Sequence, residues 1–335
     1  MNNKIDSLGV EKALELFPDQ IKGSYRQAVA SDLKKISPLN GVVINGMGGS
    51  SNAAKILEGV YEEDFSTPID IDIHNDYSLP SWVNKNSLVI ANSYSGNTEE
   101  TISGYEEAKG RGAHVIGIST GGKIADIVIN PKETNPTGFS KTGLGISIGA
   151  LAGVLTKAGV LKITAVEINS AVDELTEVRK SWDAQKKAVW LNGYLPVLFG
   201  SRPLVGALNA GRNAMCEISR NFTQFYDFPE VNHVLIEATQ KPDFVKEKVR
   251  YLFFISKFNH PRVLKRYKIT QEIFAEQGLV FDSYALKGST KLAQALELAH
   301  YCAWMGYYLS ILQGTDPGPE PWITKLKEKL SDTTF

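Results

Sequence analysis

The chain has 335 residues, of which 43% are hydrophobic, enough for one large core or two smaller ones. Its 36 basic and 37 acidic residues give a net charge of -1, so no overall field would attract a nucleic acid. The sequence has neither an apolar run long enough to span a bilayer nor an apolar signal core at its amino terminus, so we expect a soluble protein without nucleic-acid or membrane partners. Its two cysteines, Cys216 and Cys302, lack metal-ligand spacing and fit a reducing cytoplasm.

The first half of the chain alternates between strand and helix patterns. Residues 8–36 favour an amphipathic helix that breaks at Pro18. Four predicted strands follow, "GVVING", "PIDIDIHND", "SLVIANSYSG" and "HVIGISTGG". Helical stretches come after the first and the third of them, and a small-residue helix, "GISIGALAGVLTKAG", comes after the fourth. Strands that alternate with helices predict a parallel sheet covered on both faces.

The pattern restarts after a long polar-faced segment, "VEINSAVDELTEVRKSWDAQKKAVW", which we predict to be a connecting helix. The strand "LPVLFGS" follows it, then a helix over about 204–219, and later the strands "VRYLFFI" and "GLVFDSYA". A long helix and a last short helix in "DPGPEPWITKLKEKL" complete the chain. The sequence thus predicts two tandem α/β units, residues 1–165 and 193–335, joined by residues 166–192.

Two loops of the first unit carry an unusual number of small polar residues. In "NGMGGSS", Gly48 and Gly49 let the backbone approach a ligand, and Ser50 stands at a helix start, where unpaired N–H groups suit a phosphate. Ordinary helix capping is the alternative explanation.

In "NSYSGNTEET", Thr98 is a good N-cap, but Ser93 and Ser95 come before the cap and are not explained by it. In a doubly wound sheet both loops would lie at the carboxyl ends of strands, where ligands bind. Neither loop has the pattern of a nucleotide site, so we expect a small phosphate ester.

Together these two motifs resemble the sugar isomerase (SIS) domain. The tandem arrangement, the small-residue helix and the carboxy-terminal "DPGPEPWITKLKEKL" resemble, more narrowly, the bifunctional phosphoglucose/phosphomannose isomerases of archaea and bacteria. The resemblance implies an α/β fold of two tandem SIS domains, each a doubly wound parallel sheet flanked by helices. It also implies that the phosphate is held by four hydroxyl residues, Ser50, Ser93, Ser95 and Thr98.

The implied reaction interconverts glucose 6-phosphate, and mannose 6-phosphate, with fructose 6-phosphate through an enediolate. Such a reaction needs a base, and the candidate is Glu217 in "MCEISRNF". A lone helical glutamate is usually a solvated surface residue. Glu217, however, continues a stripe of small residues on a helix whose other side is apolar, so we expect it at the end of a buried helix.

The resemblance supplies three further roles. His233 in "FPEVNHVL" is implied to open the sugar ring, together with a lysine of the last helix. Lys325 and Lys327 compete for that lysine role, and Lys327 flanks the helix's apolar face more closely. Lys141 stands where the family has an arginine and would steady the enediolate with the Gly48 and Gly49 amides, although lysine lacks the bidentate fork of arginine.

The family's histidine comes from the neighbouring subunit, so the resemblance implies a homodimer with its sites at the interface. No metal or other cofactor is expected, because the five histidines form no ligand cluster. The alternative function is a non-catalytic phosphosugar sensor, since many SIS domains bind sugar phosphates only to regulate.

Overall fold

The first half of the chain folds around a parallel sheet. The computed structural model describes residues 5–62 and 70–331. The strands of this sheet are β1 (Gly41–Asn45), β2 (Asp70–His74), β3 (Ser87–Asn92), β4 (His114–Ser119) and β5 (Ile127–Val128). They lie in the order β2-β1-β3-β4-β5, and every pair is parallel. The central strands β1 and β3 are buried along their whole length, which explains their continuous apolar runs. The first two residues of the predicted strand "PIDIDIHND" lie outside the described residues.

Helices cover both faces of this sheet. They are α1 (Val10–Glu15), α2 (Phe17–Val29), α3 (Gly48–Tyr61), α4 (Glu99–Gly110) and α5 (Leu144–Ala158). The predicted break near Pro18 is confirmed, since α1 ends at Glu15 and Pro18 stands in the first turn of α2. The small residues of α5 let α2 approach closely, because a Cβ at Gly149 would lie 2.2 Å from the Ile21 carbonyl oxygen.

The second half of the chain repeats this plan with four parallel strands. They are β6 (Leu195–Ser201), β7 (Gln224–Phe228), β8 (Val249–Ile255) and β9 (Phe281–Ala285). Their order is β7-β6-β8-β9, so the predicted fold of two doubly wound parallel sheets is confirmed.

The sequence patterns missed β7, which is a half-exposed strand at the edge of the second sheet. The helices between and after the described strands of this half are α8 (Val205–Ser219), α9 (Leu235–Ala238), α10 (Phe244–Lys248), α11 (Pro261–Glu276), α12 (Lys291–Leu312) and α13 (Pro321–Leu330). Helices α9 to α11 were also missed.

The segment 166–192 was predicted to be one connecting helix, and this is wrong. It forms two helices, α6 (Ala165–Arg179) and α7 (Ala184–Leu191). Between them, the Trp182 ring packs edge-on against Tyr301 of α12, and the Tyr301 hydroxyl donates a hydrogen bond of 2.5 Å to Asp183 Oδ1. The chain thus contacts α12 at the point where the helix is interrupted. Helical periodicity in the sequence does not reveal such a contact.

One apolar cluster joins the inner faces of both sheets through α5, α8 and α12. Helix α12 is buried along most of its length, including the thiol of Cys302. No helix within the described ranges is both long enough and apolar enough to cross a membrane.

Candidate active site

The two polar loops meet at the point where the strand order of the first sheet reverses. The loop after β1 runs into α3, and the loop after β3 runs into α4. The Tyr94 amide donates to Ser50 Oγ at 3.2 Å, and Asn92 Nδ2 donates to the Ser50 carbonyl at 3.0 Å. Gly46 permits this approach, because a Cβ there would lie 2.6 Å from the Asn92 carbonyl oxygen. Reversal points of this kind are where α/β sheets bind ligands.

The hydroxyls of the second loop are organised by one another. Ser93 Oγ lies 2.9 Å from Thr98 Oγ1 and accepts a hydrogen bond from the Gly96 amide at 3.1 Å. Ser95 is exposed, and its Oγ accepts from the Asn97 amide at 3.2 Å. Ser93 is buried, Thr98 is half-buried and Ser95 is exposed, so the three hydroxyl residues lie at different depths at the amino end of α4.

Capping does not account for the hydroxyls of either loop. Thr98 occupies the N-cap position of α4 as predicted, but its side chain makes no cap hydrogen bond. The N-cap of α3 is Met47, and the Ser50 hydroxyl bonds to the neighbouring loop instead. The capping alternative is thus wrong for the Thr98 and Ser50 side chains.

The corresponding point of the second sheet is closed by its own side chains. Asn259 Nδ2 donates to Ser201 Oγ at 2.9 Å, and the Ser256 hydroxyl donates to Gln294 Oε1 at 2.5 Å. All four residues are buried. The second unit shares the strand, Gly-Ser turn and helix of the first, but its serines are already paired.

A cavity between the two halves lies beside the first loop. The residues that line it include Gly49 at the start of α3, Lys141 in a 3-10 turn before α5, and Glu217 near the end of α8. The prediction that Glu217 ends a buried helix is confirmed, because α8 buries residues on both of its sides. Glu217 itself is only partly exposed, and what it exposes borders the cavity.

The surroundings of Glu217 favour its protonated form more than water does. Burial raises the pKa of its carboxyl to about 7, and the nearby Glu320 carboxylate adds to this rise. Three cations, Lys141, Arg212 and Lys327, oppose it. A carboxyl with a pKa near 7 can both accept and return a proton at neutral pH, as a general base in an isomerisation must.

Lys141 is almost fully buried, and its Nζ lies 3.5 Å from Glu320 Oε1. Burial lowers the pKa of the Lys141 ammonium, while Glu320 and Glu217 raise it. The lysine is thus held between two carboxylates. Its turn is also tied to the hydroxyl-rich loop, because Asn135 accepts from the Thr142 hydroxyl at 2.8 Å and donates to the Tyr94 hydroxyl at 2.6 Å.

Three predicted site residues, Gly49, Lys141 and Glu217, line this cavity. The other predicted site residues do not line it: Gly48, Ser50, Ser93, Ser95, Thr98, His233 and Lys327. His233 is exposed on a 3-10 turn (Glu230–His233) of the second half and does not line the cavity. Lys327 is exposed on α13, although its charge lowers the pKa of Glu217. Lys325 instead places its ammonium 5.5 Å from the centre of the Trp322 ring.

The sequence patterns missed Glu320, which lies beside the cavity residue Lys141. They also missed the polar residues of the cavity lining, Asn52, Thr142, Asn213 and His300. Glu320 stands in the loop before α13, where no periodicity marks a buried residue. His300 lies in α12, stacked on Phe17 at a ring distance of 4.5 Å. Burial lowers the pKa of His300 to about 3, so this imidazole is neutral and structural. Its position in the long, mostly apolar helix α12 was the available sequence signal.

Comparison with known proteins agrees with this fold. Two parallel sheets with a hydroxyl-lined reversal point define a protein with tandem SIS domains. Residues 180–330 match the family described as bacterial phospho-glucose isomerase C-terminal SIS domain. A bifunctional phosphoglucose/phosphomannose isomerase of Aquifex aeolicus is 32% identical over 92% of this chain and 97% of its own length. The chain therefore belongs to the bifunctional phosphoglucose/phosphomannose isomerase family.

A second relative of the same name, from Caldicellulosiruptor bescii, is 29% identical over 94% of this chain and 97% of its own length. Among solved structures, tagatose-6-phosphate ketose/aldose isomerase from Escherichia coli superposes with a TM-score of 0.69. It is 16% identical and is matched over 92% of this chain and 94% of that one. At that identity the likeness concerns the fold alone.

Proposed function

We propose that this protein is an aldose–ketose isomerase that interconverts glucose 6-phosphate, and mannose 6-phosphate, with fructose 6-phosphate. The observation that carries the proposal is the position of Glu217. Its carboxyl, with a pKa of about 7, borders a cavity that it shares with Lys141 and Gly49, next to a loop rich in hydroxyls. The names of the relatives identify the phosphosugars.

In the proposed mechanism the two loops hold the phosphate. The hydroxyls of Ser50, Ser93, Ser95 and Thr98 donate to its oxygens, helped by the amino-terminal amides of α3 and α4. Such contacts involve atoms that do not react, so they bind substrate and transition state alike.

The proton moves between C1 and C2 of the open-chain sugar. Glu217 removes it from one carbon and returns it to the other, which requires the carboxylate at the start of each turnover. As the enediolate forms, negative charge grows on the two sugar oxygens. The Lys141 ammonium and the Gly48 and Gly49 amides stabilise that charge.

Ring opening is assigned to His233 of the partner subunit and to Lys327. The exposure of His233 away from the Glu217 of its own chain supports a role in a neighbouring site. We therefore propose a homodimer with shared sites, working in the cytoplasm in glycolysis or gluconeogenesis. The division into a first SIS domain (1–165), a connecting segment (166–192) and a second SIS domain (193–335) is part of the same proposal.

A coupled assay tests this function. Purified protein supplied with glucose 6-phosphate, and separately with mannose 6-phosphate, should form fructose 6-phosphate at rates proportional to protein concentration. Binding of fructose 6-phosphate without any turnover would instead identify a phosphosugar sensor.

A further inference from the structure

The loop between α12 and α13, residues 313–320, is fastened to the helix that carries Glu217. The Arg220 guanidinium donates to the carbonyl of Asp316 at 3.1 Å and to that of Pro319 at 2.9 Å. Arg220 is the residue that ends α8, three positions after Glu217, and its φ of 54° is left-handed. The end of α8 and this loop therefore form one unit.

The other side of the loop is also fixed. Asp316 Oδ1 accepts from the amides of Ser7 at 3.4 Å and Gly318 at 2.9 Å. Gly318 packs so closely on the amino-terminal segment that a Cβ there would lie 2.8 Å from Leu8 Cγ. Glu320, the last residue of the loop, is thus carried on a backbone that is held at several points.

This backbone directs the Glu320 side chain inward. Only 8% of the side chain is exposed, against 1% for Lys141, and the two charged groups lie 3.5 Å apart. Neither Lys141 Nζ nor Glu320 Oε1 has a hydrogen-bond partner among the residues that the structure describes. A charge buried this deeply is costly unless an opposite charge compensates it.

We propose that Glu320 is a positioning residue of the isomerase site, whose carboxylate holds the Lys141 ammonium in place and offsets its charge beside Glu217. The inference rests on the proposed function and extends it. Without Glu320, Lys141 would be a lone buried cation next to the base, and its nearest opposite charge would be the Glu217 carboxylate. The base and its electrostatic partner would then pair with each other rather than act on the sugar.

The charges around Glu217 set the sign of the effect. Glu320 raises the pKa of Glu217, whereas Lys141, Arg212 and Lys327 lower it. The remaining titratable group of the cavity, His300, is neutral. Because Glu217 acts as a base in its ionised form, the acid limb of kcat/KM follows its pKa in the free enzyme. Removing the Glu320 charge lowers that pKa and moves the acid limb to lower pH.

The test compares Glu320→Gln with Glu328→Gln, which makes the same change at an exposed position of α13. For Glu320→Gln we expect the acid limb of kcat/KM to move to lower pH. We also expect kcat to fall by about tenfold or more, since a misplacement of about 1 Å can cost about 100-fold. KM should change little. Glu320→Asp keeps the negative charge, so it should recover part of kcat, and the acid limb of its kcat/KM should stay where it is in the unmodified protein. Glu328→Gln should match the unmodified protein.

An acid limb that stays in place in Glu320→Gln, with kcat within twofold of the Glu328→Gln control, would overturn the proposal. If Glu320→Gln does not fold, Lys141→Met is tested instead. Loss of the Lys141 cation must raise the pKa of Glu217 and so move the acid limb of kcat/KM to higher pH. The pKa of Glu217 can also be measured directly, by following its carboxyl titration with infrared spectroscopy and using Glu217→Gln as the reference. This compares the unmodified protein with the Glu320 variants without relying on catalytic activity. An inactive unmodified protein would refute the isomerase function, while an unshifted Glu217 titration would refute the role of Glu320.

Discussion

Ser93 Oγ and Thr98 Oγ1 lie 2.9 Å apart across the turn between β3 and α4, so each hydroxyl is oriented by the other. In addition, the Gly96 amide donates to Ser93 Oγ. The turn is thus organised before any ligand arrives. The proposed phosphate site would therefore lose less conformational entropy on binding than a loop that must first become ordered.

The exposed hydroxyl of Ser95 allows the phosphate contact to be tested with little risk to folding. Ser95→Ala should raise KM for fructose 6-phosphate by about tenfold or more, because a hydrogen bond to a charged group contributes about 1.5–3 kcal/mol. kcat should change less, because the phosphate does not react. Ser81→Ala, at another exposed serine, is the control. An unchanged KM in Ser95→Ala would remove this residue from the phosphate site.

Glu217→Gln tests the base, since it keeps the shape of the side chain and removes the proton acceptor. We expect isomerase activity to fall by about 10²–10⁴-fold. Binding of 6-phosphogluconate, measured by calorimetry, should persist because the phosphate loops belong to the first half. Glu237→Gln, which makes the same change at an exposed position of α9, is the control. If Glu217→Gln stays active, Glu230 becomes the next candidate for the base.

The raised pKa of Glu217 also predicts a stability effect with a defined sign. In the folded protein the pKa is about 7, against 4.5 for an unperturbed carboxyl, so folding favours the protonated form. The resulting stability is complete below pH 4.5 and is lost as the pH rises through 7. Glu217→Gln cannot ionise, and its Tm should match that of the unmodified protein at pH 4 and exceed it at pH 8. A Tm difference that does not vary with pH would contradict this account.

The shared site predicts complementation between two inactive chains. After Glu217→Gln and His233→Ala chains are mixed and allowed to exchange, a hybrid dimer has one site with both groups intact. In a two-fold symmetric dimer with random exchange, about a quarter of the activity should return. Exchange is verified by mass spectrometry of the hybrids. Recovery of no activity, with hybrids present, would place both groups in one chain.

The last helix offers a matched pair of lysines. Lys327 lowers the pKa of Glu217, whereas Lys325 lies over the Trp322 ring. Lys327→Met should therefore lower kcat/KM by at least about tenfold, as loss of an acid–base group does. Lys325→Met should have little effect. The two variants are compared in the same coupled assay, and the reverse ranking would transfer the ring-opening role to Lys325.

The fold was predictable where local pattern and burial agree. The apolar runs of β1 and β3 follow from burial on both faces, and the two-sided apolar character of α8 identified Glu217 as a buried carboxylate. The edge strand β7 was not predictable in this way, because its exposure is mixed and its apolar residues do not alternate cleanly. The break at Trp182 depends on contacts with α12, more than a hundred residues away.

The two polar loops could be proposed as a phosphate site from the sequence, but the contacts across the interface of the two halves could not. The spacing of Ser93, Ser95 and Thr98 is local, and a motif captures it. The partnership of Lys141 and Glu320 joins residues far apart in sequence, and only the folded chain brings them together. Capping of α4 by Thr98 was predicted because threonine is favoured at the N-cap position. In the structure the Thr98 hydroxyl lies within hydrogen-bond distance of the Ser93 hydroxyl and makes no cap hydrogen bond.

The closed reversal point of the second sheet has a consequence for how the protein responds to substrate. In the second half Ser201 and Ser256 are buried and hydrogen-bonded to Asn259 and Gln294, whereas the reversal point of the first half keeps the exposed hydroxyl residue Ser95. Occupancy of a single chain should then follow a simple hyperbola with a stoichiometry of one. A sigmoidal dependence of rate on substrate concentration would then have to arise from coupling between the sites of separate chains. The shape of this curve therefore indicates whether the chains assemble.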